Sequence, residues 1–180
     1  SNKIHALVIE RFATLPVLPE SFGAVGDGVT NDRAAIQAAI YYCYAQPYGG
    51  VVKFAAKKYL TGSLTLRYKV SLEGAQPPTF NEFYSYMSGA ELILATGATA
   101  PLLSNTPSSG EGYLRQTSDE GDKYYLLASI KNLTLNGSPL INTGTRQDCI
   151  RLERVWGVEI SNCYLKTGYR AFAIRMIDCN

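Results

Sequence analysis

FGAVGDGVTNDRAAIQAAIYYCYA, residues 22–45, joins a glycine-rich turn to a helix. Ile36, Ile40, Cys43 and Tyr44 recur at three- and four-residue spacing, which places them on one face of a 3.6-residue period. Thr30 and Asn31 are candidates to cap that helix, Asp32 suits the positive end of its dipole, and the Gly49-Gly50 pair ends it. The spacing therefore predicts a helix over about 31–45. From Gly50 onward the pattern changes to short β-rich runs: VVKF, KYLTG, SLTL and KVSLEG, then ELILA, IKNLTLNG, IRLERV, GVEISNCYL and AIRMI. Each has the length of a strand, and the spacers carry neither two-residue hairpin turns nor a helix long enough for a βαβ crossover. Many short strands so connected can pair as a coil that returns to begin the next layer.

Internal similarity points the same way. Aligning Ile150-Arg151-Leu152 with Ile174-Arg175-Met176, and Leu133-Thr134-Leu135 with Val158-Glu159-Ile160, gives offsets of 24 and 25 residues, in the range of a β-solenoid repeat. Stacked layers lie roughly 4.8 Å apart with alternate side chains turned inward. Ile150, Leu152, Val158, Ile160, Ile174 and Met176 are accordingly expected inside, while Asn162 and Asn180 follow strand ends, where asparagine turns the chain. Residues 1–21, which lack a period and contain PVLPE, read as a leader or linker; residues 22–180 read as the first part of one coiled domain, cut short at its far end. QPPTFNEFYSYMSGA and SNTPSSGEGYLRQTSDEGDK break the pattern and are expected to leave the coil as loops.

Composition narrows the partners. The formal charge is +2 and the basic residues are scattered, so nothing reads as a nucleic-acid footprint. The apolar runs are short and the opening residues lack the order of a signal peptide, so neither membrane insertion nor a leader for export is expected from them. Cys43, Cys149, Cys163 and Cys179 form no CxxC pair and His5 is the only histidine, which argues against a zinc site or a Cys/His nucleophile; free, buried thiols are expected rather than disulfides.

Candidate chemistry comes from the alignment. Arg151 stacks on Arg175, and two guanidinium groups one layer apart repel unless an anion lies across them, so they are candidate ligands for acidic sugars; the plainer reading is a solvated pair. Glu153 falls over Ile177, and Asp178 beside Arg154, one layer away. Glu153 and Asp178 are weak catalytic candidates, because hydrolysis of a glycosidic bond needs two flanking carboxylates, against the plainer reading of a surface ion pair. The first loop carries Phe80, Phe83, Tyr84, Tyr86 and Met87. Tyr84 and Tyr86 are candidates for sugar stacking, and a flap packed on its own coil or a subunit contact is the competing reading. No metal ligands stand out.

FGAVGDGVTNDRAAIQAAI followed by GGVVKFAAKKYLTGSLTLRYKVSLEGA, residues 22–40 and 49–75, resembles the first module of the pectate-lyase-superfamily β-helices found in phage tailspikes, bacterial polysaccharide-degrading enzymes and polygalacturonases. Gly26, Asp27, Gly28, Thr30, Asp32, Ala35, Ile36 and Ile40 match the turn and capping helix of that family, and Gly49-Gly50 and Tyr59-Leu60 its first coil. The resemblance implies a mainly β fold, a right-handed single-stranded parallel β-helix with an N-terminal capping α-helix. An amphipathic helix across the open first layer covers apolar side chains, which makes Asp27 and Asp32 turn and cap residues rather than acid catalysts. It also implies a bacterial polysaccharide as partner, catalytic groups on later coils, and calcium if the chemistry is elimination, though no dense Asp/Glu cluster announces a calcium site. A virion-borne, homotrimeric tailspike depolymerase is the leading reading. A secreted pectate lyase or polygalacturonase-like enzyme and a non-catalytic β-helix adhesin or virion component are the alternatives; the Gly-His-Gly segment of polygalacturonases is absent.

Overall fold

A computed structural model of the chain describes residues 15–81, 86–105, 124–137, 148–167, 171–177 and 179. Strand β1 (Asp27–Asn31) and helix α1 (Arg33–Ala45) precede four coils, each visiting three parallel sheets in the same order. Sheet A takes β2 (Gly50–Phe54), β5 (Val70–Gly74), β10 (Tyr124–Lys131) and β13 (Val155–Ser161). Sheet B takes β3 (Lys58–Thr61), β8 (Ala90–Leu94), β11 (Leu133–Asn136) and β14 (Tyr164–Lys166), with β1 at its head. Sheet C takes β4 (Leu64–Thr65), β9 (Leu103–Ser104), β12 (Ile150–Glu153) and β15 (Ile174–Ile177). The architecture is a right-handed parallel β-helix closed at its start by one helix. The first aromatic-rich loop leaves the coil between β5 and β8 and contains an antiparallel pair, β6 (Thr79–Phe80) with β7 (Tyr86–Ser88).

Alternation along each strand builds the core as three inward columns. Val52, Leu72, Ile130 and Ile160 stack in sheet A. Tyr59, Leu92, Leu135 and Leu165 stack in sheet B, and Leu64, Leu103, Ile150 and Ile174 in sheet C. The first three members of every column are buried, each burial contributing about 1.5–3 kcal/mol as an upper estimate. The fourth members, with Val158, are only partly covered. Met176, expected inside, is 60% exposed: it sits on the buried Leu152, and no described strand lies on its other side.

Three runs that read as single strands each straddle a corner. IKNLTLNG is broken at Asn132 (φ 57°), IRLERV at Arg154 (φ 53°) and GVEISNCYL at Asn162 (φ 51°). A single left-handed residue swings the chain from one sheet to the next and resets the phase of the alternation: Ile130 and Leu133 are both buried, as are Leu152 and Val155, so the inward step across the corner is three residues rather than two. This corrects one of the two alignments. Leu133–Leu135 lies in sheet B and Val158–Ile160 in sheet A; the true partners are Ile130 with Ile160 and Leu135 with Leu165, thirty residues apart. Ile150 does pair with Ile174, and Arg151 with Arg175, twenty-four apart.

The exposed edge of the first coil is closed in three different ways. In sheet A the Val17 N–H donates to the Val51 carbonyl and the Lys53 N–H to the Val17 carbonyl, both at 2.8 Å. In sheet B, β1 pairs with β3. In sheet C the side chain of Gln37 on α1 pairs with the backbone of Thr65: Nε2 donates to its carbonyl at 3.0 Å and Oε1 accepts its N–H at 2.8 Å. Residues 15–21, within the stretch read as linker, thus belong to the cap. Above these edges α1 buries Ala35, Ile36, Ala39, Ile40 and Cys43.

The turn before α1 is organised by two carboxylates. The helix begins at Arg33, whose N–H donates to Asn31 Oδ1 at 3.0 Å. Asp32, at the N-cap and 2% exposed, reaches back to accept the Val25 and Gly26 amides at 2.8 and 3.0 Å. Asp27 accepts the Val29 and Thr30 amides and the Thr30 hydroxyl, bonds that hold its carboxyl below the usual range.

Glu20 ties the segment before this turn to the first coil. Its carboxylate accepts the hydroxyl of the buried Tyr59 at 2.6 Å and lies 3.3 Å from Lys57 Nζ. Burial raises the Glu20 carboxyl, but the Tyr59 hydroxyl, the backbone and Lys57 together outweigh it and hold the group below its ordinary value. A folded-state value below the unfolded one adds stability above the ordinary carboxylate range, and that stability disappears as pH falls through the folded value. Glu20→Gln is accordingly expected to differ most from the unsubstituted protein at neutral pH. Urea unfolding should show that difference shrinking between about pH 5 and pH 3; a gap independent of pH would refute the assignment.

Candidate functional site

The three sheets present different outward faces. Sheet A carries inter-layer pairs of lysine with glutamate, Lys53 with Glu73 at 3.3 Å and Lys131 with Glu159 at 2.8 Å. Such exposed pairs add solubility and at most about 1 kcal/mol each. On sheet B, Lys58, Glu91, Thr134 and Tyr164 are in register, and Phe80 of the first loop packs on Tyr164 with ring centres 4.5 Å apart. That contact is a flap lying on its own coil. On sheet C the register brings Thr65, Ser104, Arg151 and Arg175 into one column on the side away from the core, with Thr65 and Ser104 buried and the two arginines partly exposed.

The cations are sorted with the faces. Among the described strands, lysines occur only in sheets A and B (Lys53, Lys58, Lys131, Lys166) and arginines only in sheet C (Arg151, Arg175). Lysine is a strongly hydrated point charge, whereas the planar guanidinium presents a fork of donors that matches a carboxylate or sulfate.

Arg175 forms a two-bond pair with Asp148, Nε to Oδ2 at 2.5 Å and Nη2 to Oδ1 at 3.3 Å. The Asp148 carboxylate, only 5% exposed, also accepts the Phe172 N–H at 2.9 Å. The Arg175 guanidinium carbon lies 4.5 Å from the centre of the Phe172 ring. Its bond to Asp148 raises the guanidinium pKa further above an already high value, so the cation is permanent. One layer below, Arg151 Nη2 meets Glu153 Oε1 at 2.6 Å. Glu153 is fixed from behind by Asn105, whose side-chain amide accepts the Glu153 N–H at 2.9 Å and donates to its carbonyl at 2.8 Å. Asn105 thereby extends the pairing of β9 with β12 beyond Ser104.

The structure brings Arg151, Arg175 and Glu153 together, and their registers are those the alignment implies, Arg151 on Arg175 and Glu153 on Ile177. The expected repulsion between the arginines is relieved inside the protein, because each guanidinium has its own carboxylate. Asp178 and Tyr84 lie outside the described residues. Tyr86 is placed in β7 by its backbone, opposite Phe80. Gly26, Asp27, Gly28, Thr30, Asp32, Ile36 and Ile40 belong to the cap. Sequence reasoning missed Asp148, Phe172 and Asn105, which lie just outside the strands that the alignment compared. One signal was available: Asp148 stands two residues before Ile150 and Phe172 two before Ile174, the same place in successive coils.

Among the described residues no three His, Cys, Asp or Glu side chains converge to hold a metal. Both sheet C carboxylates are engaged by arginine, so this donor set does not fit calcium. All four cysteines are free thiols; burial raises Cys43 to about 11, and burial together with neighbouring Asp148 raises Cys149 to about 11, so neither is a ready nucleophile. A cavity of about 360 Å³ between residues 15–22 and α1 is walled by Leu15, Leu18, Phe22 and Tyr42 and carries no acid or base for catalysis. Among the described residues no helix is long and apolar enough to cross a membrane.

The model of the rhamnogalacturonase A/epimerase, pectate lyase-like family matches residues 19–170. The chain is similar in fold to ORF18 of Geobacillus virus E2 (19% identity, TM-score 0.53), with 84% of this chain and 26% of that one covered. It is similar to the A-module of mannuronan C-5 epimerase AlgE6 from Azotobacter vinelandii (22% identity, TM-score 0.54; 91% and 40% covered). It is also similar to PfbA, a surface adhesin of Streptococcus pneumoniae (23% identity, TM-score 0.55; 83% and 33% covered). The chain thus spans between about a quarter and two fifths of the length of these structures. No curated protein matches it in sequence. A phage protein, an epimerase module and an adhesin share the fold at similar scores, so the likeness speaks for the fold and for no single one of them.

Proposed function

Because the chain belongs to the rhamnogalacturonase A/epimerase, pectate lyase-like family, we propose that it is a carbohydrate-active β-helix protein that lays an acidic polysaccharide across the outward face of sheet C. The observation that carries this reading is that, among the described strands, arginines occur only on that face, with Asp148 and Glu153 paired to Arg175 and Arg151. A guanidinium fork so held is ready to take a second planar anion, such as a uronate carboxylate, at its remaining donors.

The same geometry ranks the chemistries. Hydrolysis asks for two carboxylates facing one glycosidic bond, one of them protonated; here each carboxylate faces a guanidinium. Elimination and epimerisation both begin with removal of the proton beside the sugar carboxylate, and both need fixed positive charge where the carbanion's charge collects. Arg151 and Arg175 supply such charge, and Glu153, held by Arg151 at 2.6 Å, orients that guanidinium. We therefore favour the pectate-lyase-like reading over the tailspike depolymerase. A trimeric tailspike and a non-catalytic adhesin are the competing assignments.

The test is affinity electrophoresis of the chain through gels containing polygalacturonate or rhamnogalacturonan. Retardation is expected, and the double substitution Arg151→Ala, Arg175→Ala should weaken it by about tenfold or more, the loss of roughly two charge-assisted contacts. Equal retardation of the double variant would remove sheet C from consideration. Product analysis then sorts the class: unsaturated ends for elimination, new reducing ends for hydrolysis, inverted sugars without cleavage for epimerisation, none for an adhesin. A trimer mass by light scattering would favour the tailspike.

A further inference from the structure

We propose that Glu91 and Thr134, neighbours in the column of sheet B that faces away from the core, form a site for one monovalent cation the size of sodium or potassium; the site is independent of the sheet C reading. Glu91 is 8% exposed and Thr134 2%. Farther along the same column Phe80 packs on Tyr164. A carboxylate taken out of water is costly unless a cation and hydrogen bonds compensate it. Of the four glutamates on the described strands, Glu73, Glu153 and Glu159 each pair with a lysine or arginine. Glu91, the most buried of the four, pairs with none; its side-chain partner is the neutral amide of Asn136, whose Nδ2 donates to Oε1 at 3.1 Å.

Thr134 is the second observation. Its hydroxyl oxygen is buried and makes no hydrogen bond, against the rule that buried polar groups are paired. Strand register sets it directly on Glu91, one layer of roughly 4.8 Å away. A carboxylate without a cation and a hydroxyl without a partner thus stand side by side between β8 and β11. Charge selects the ligand. A water would serve the hydroxyl and leave the carboxylate's charge uncompensated. A divalent ion would exchange one excess charge for another, and no group of three acids among the described residues is there to hold it. One monovalent ion balances one carboxylate, and the oxygens of Glu91 and Thr134 are hard donors of the kind such an ion takes. Burial this deep admits an ion and excludes a sugar ring.

The experiment is thermal unfolding of the whole chain and its variants in potassium, sodium and tetramethylammonium chloride at equal ionic strength, the last cation being too large to enter. The unsubstituted chain should melt about 2–4 °C higher in potassium or sodium chloride, the shift produced by a ligand at several times its dissociation constant. Glu91→Gln keeps the shape and removes the charge. It should lose the salt-specific shift and, in tetramethylammonium chloride, melt no lower than the unsubstituted chain, because the uncompensated carboxylate is gone. Thr134→Val should lose most of the shift, again without a lower melting point in tetramethylammonium chloride. Equal melting points of the unsubstituted chain in all three salts would overturn the site, as a bound water in place of an ion requires. A shift that persists in Glu91→Gln would put the ion elsewhere in the molecule, and one that persists in full in Thr134→Val would overturn the paired site. A Glu91→Gln variant that melts lower by the same amount in every salt would reduce Glu91 to an acceptor for Asn136.

Discussion

Replacing Gly49 by alanine is expected to destabilise the protein by about 4 kcal/mol or more, the range reserved for collisions that the fold cannot relax. Gly49 sits at φ 73°, where an L side chain costs about 1–2 kcal/mol on its own. The larger part is steric: a Cβ at this position would lie 2.0 Å from the Lys69 carbonyl oxygen and 2.8 Å from its carbonyl carbon. Lys69 cannot retreat freely. It is itself a left-handed corner (φ 61°), and its carbonyl accepts the Gly50 N–H at 3.0 Å, the first rung between β2 and β5. Gly97→Ala provides the control, since Gly97 has φ 82° with nothing within 4 Å of the added atom. Thermal unfolding should place Gly49→Ala about 8–16 °C below the unsubstituted protein and Gly97→Ala only a few degrees below. Equal shifts would show that backbone strain alone, without the collision, accounts for the effect.

Gln37→Ala is the second large effect, expected at about 2–4 kcal/mol, or roughly 5–15 °C. Gln37 is 6% exposed, as is Thr65, and removing its amide strands the Thr65 N–H and carbonyl away from water. Gln37→Met separates the causes because it keeps the length and apolar stem. If the two hydrogen bonds matter, methionine is nearly as destabilising as alanine in urea unfolding; a methionine variant close to the unsubstituted protein would mean that packing is the main contribution.

The glycine-rich turn, the helix and the inward residues Ile150, Leu152, Val158, Ile160 and Ile174 were legible in the sequence because each follows from a local period and from turn chemistry. Register was legible where the same short run recurs one coil later, as for Ile150–Leu152 on Ile174–Met176. It was lost where Asn132 and Asn162 bend the chain, because the three-residue inward step at each corner, Ile130 to Leu133 and Ile160 to Cys163, was read as part of one continuous strand. The site was half legible for a related reason. Arg151, Arg175 and Glu153 announce themselves by repeating, whereas Asp148, Phe172 and Asn105 act from positions outside the strands, where spacing carries no period to compare. Gln37 was hidden in an apolar helix whose period describes packing and says nothing about a hydrogen-bonded strand beneath it.

Closing all three rungs at the first coil gives the ribbon a direction. A stack of identical layers would accept a new layer at either end, as a crystal grows from both faces; here one face is terminated by Val17, by β1 and by the Gln37 amide, so a foreign strand can add at that end only by displacing one of these partners.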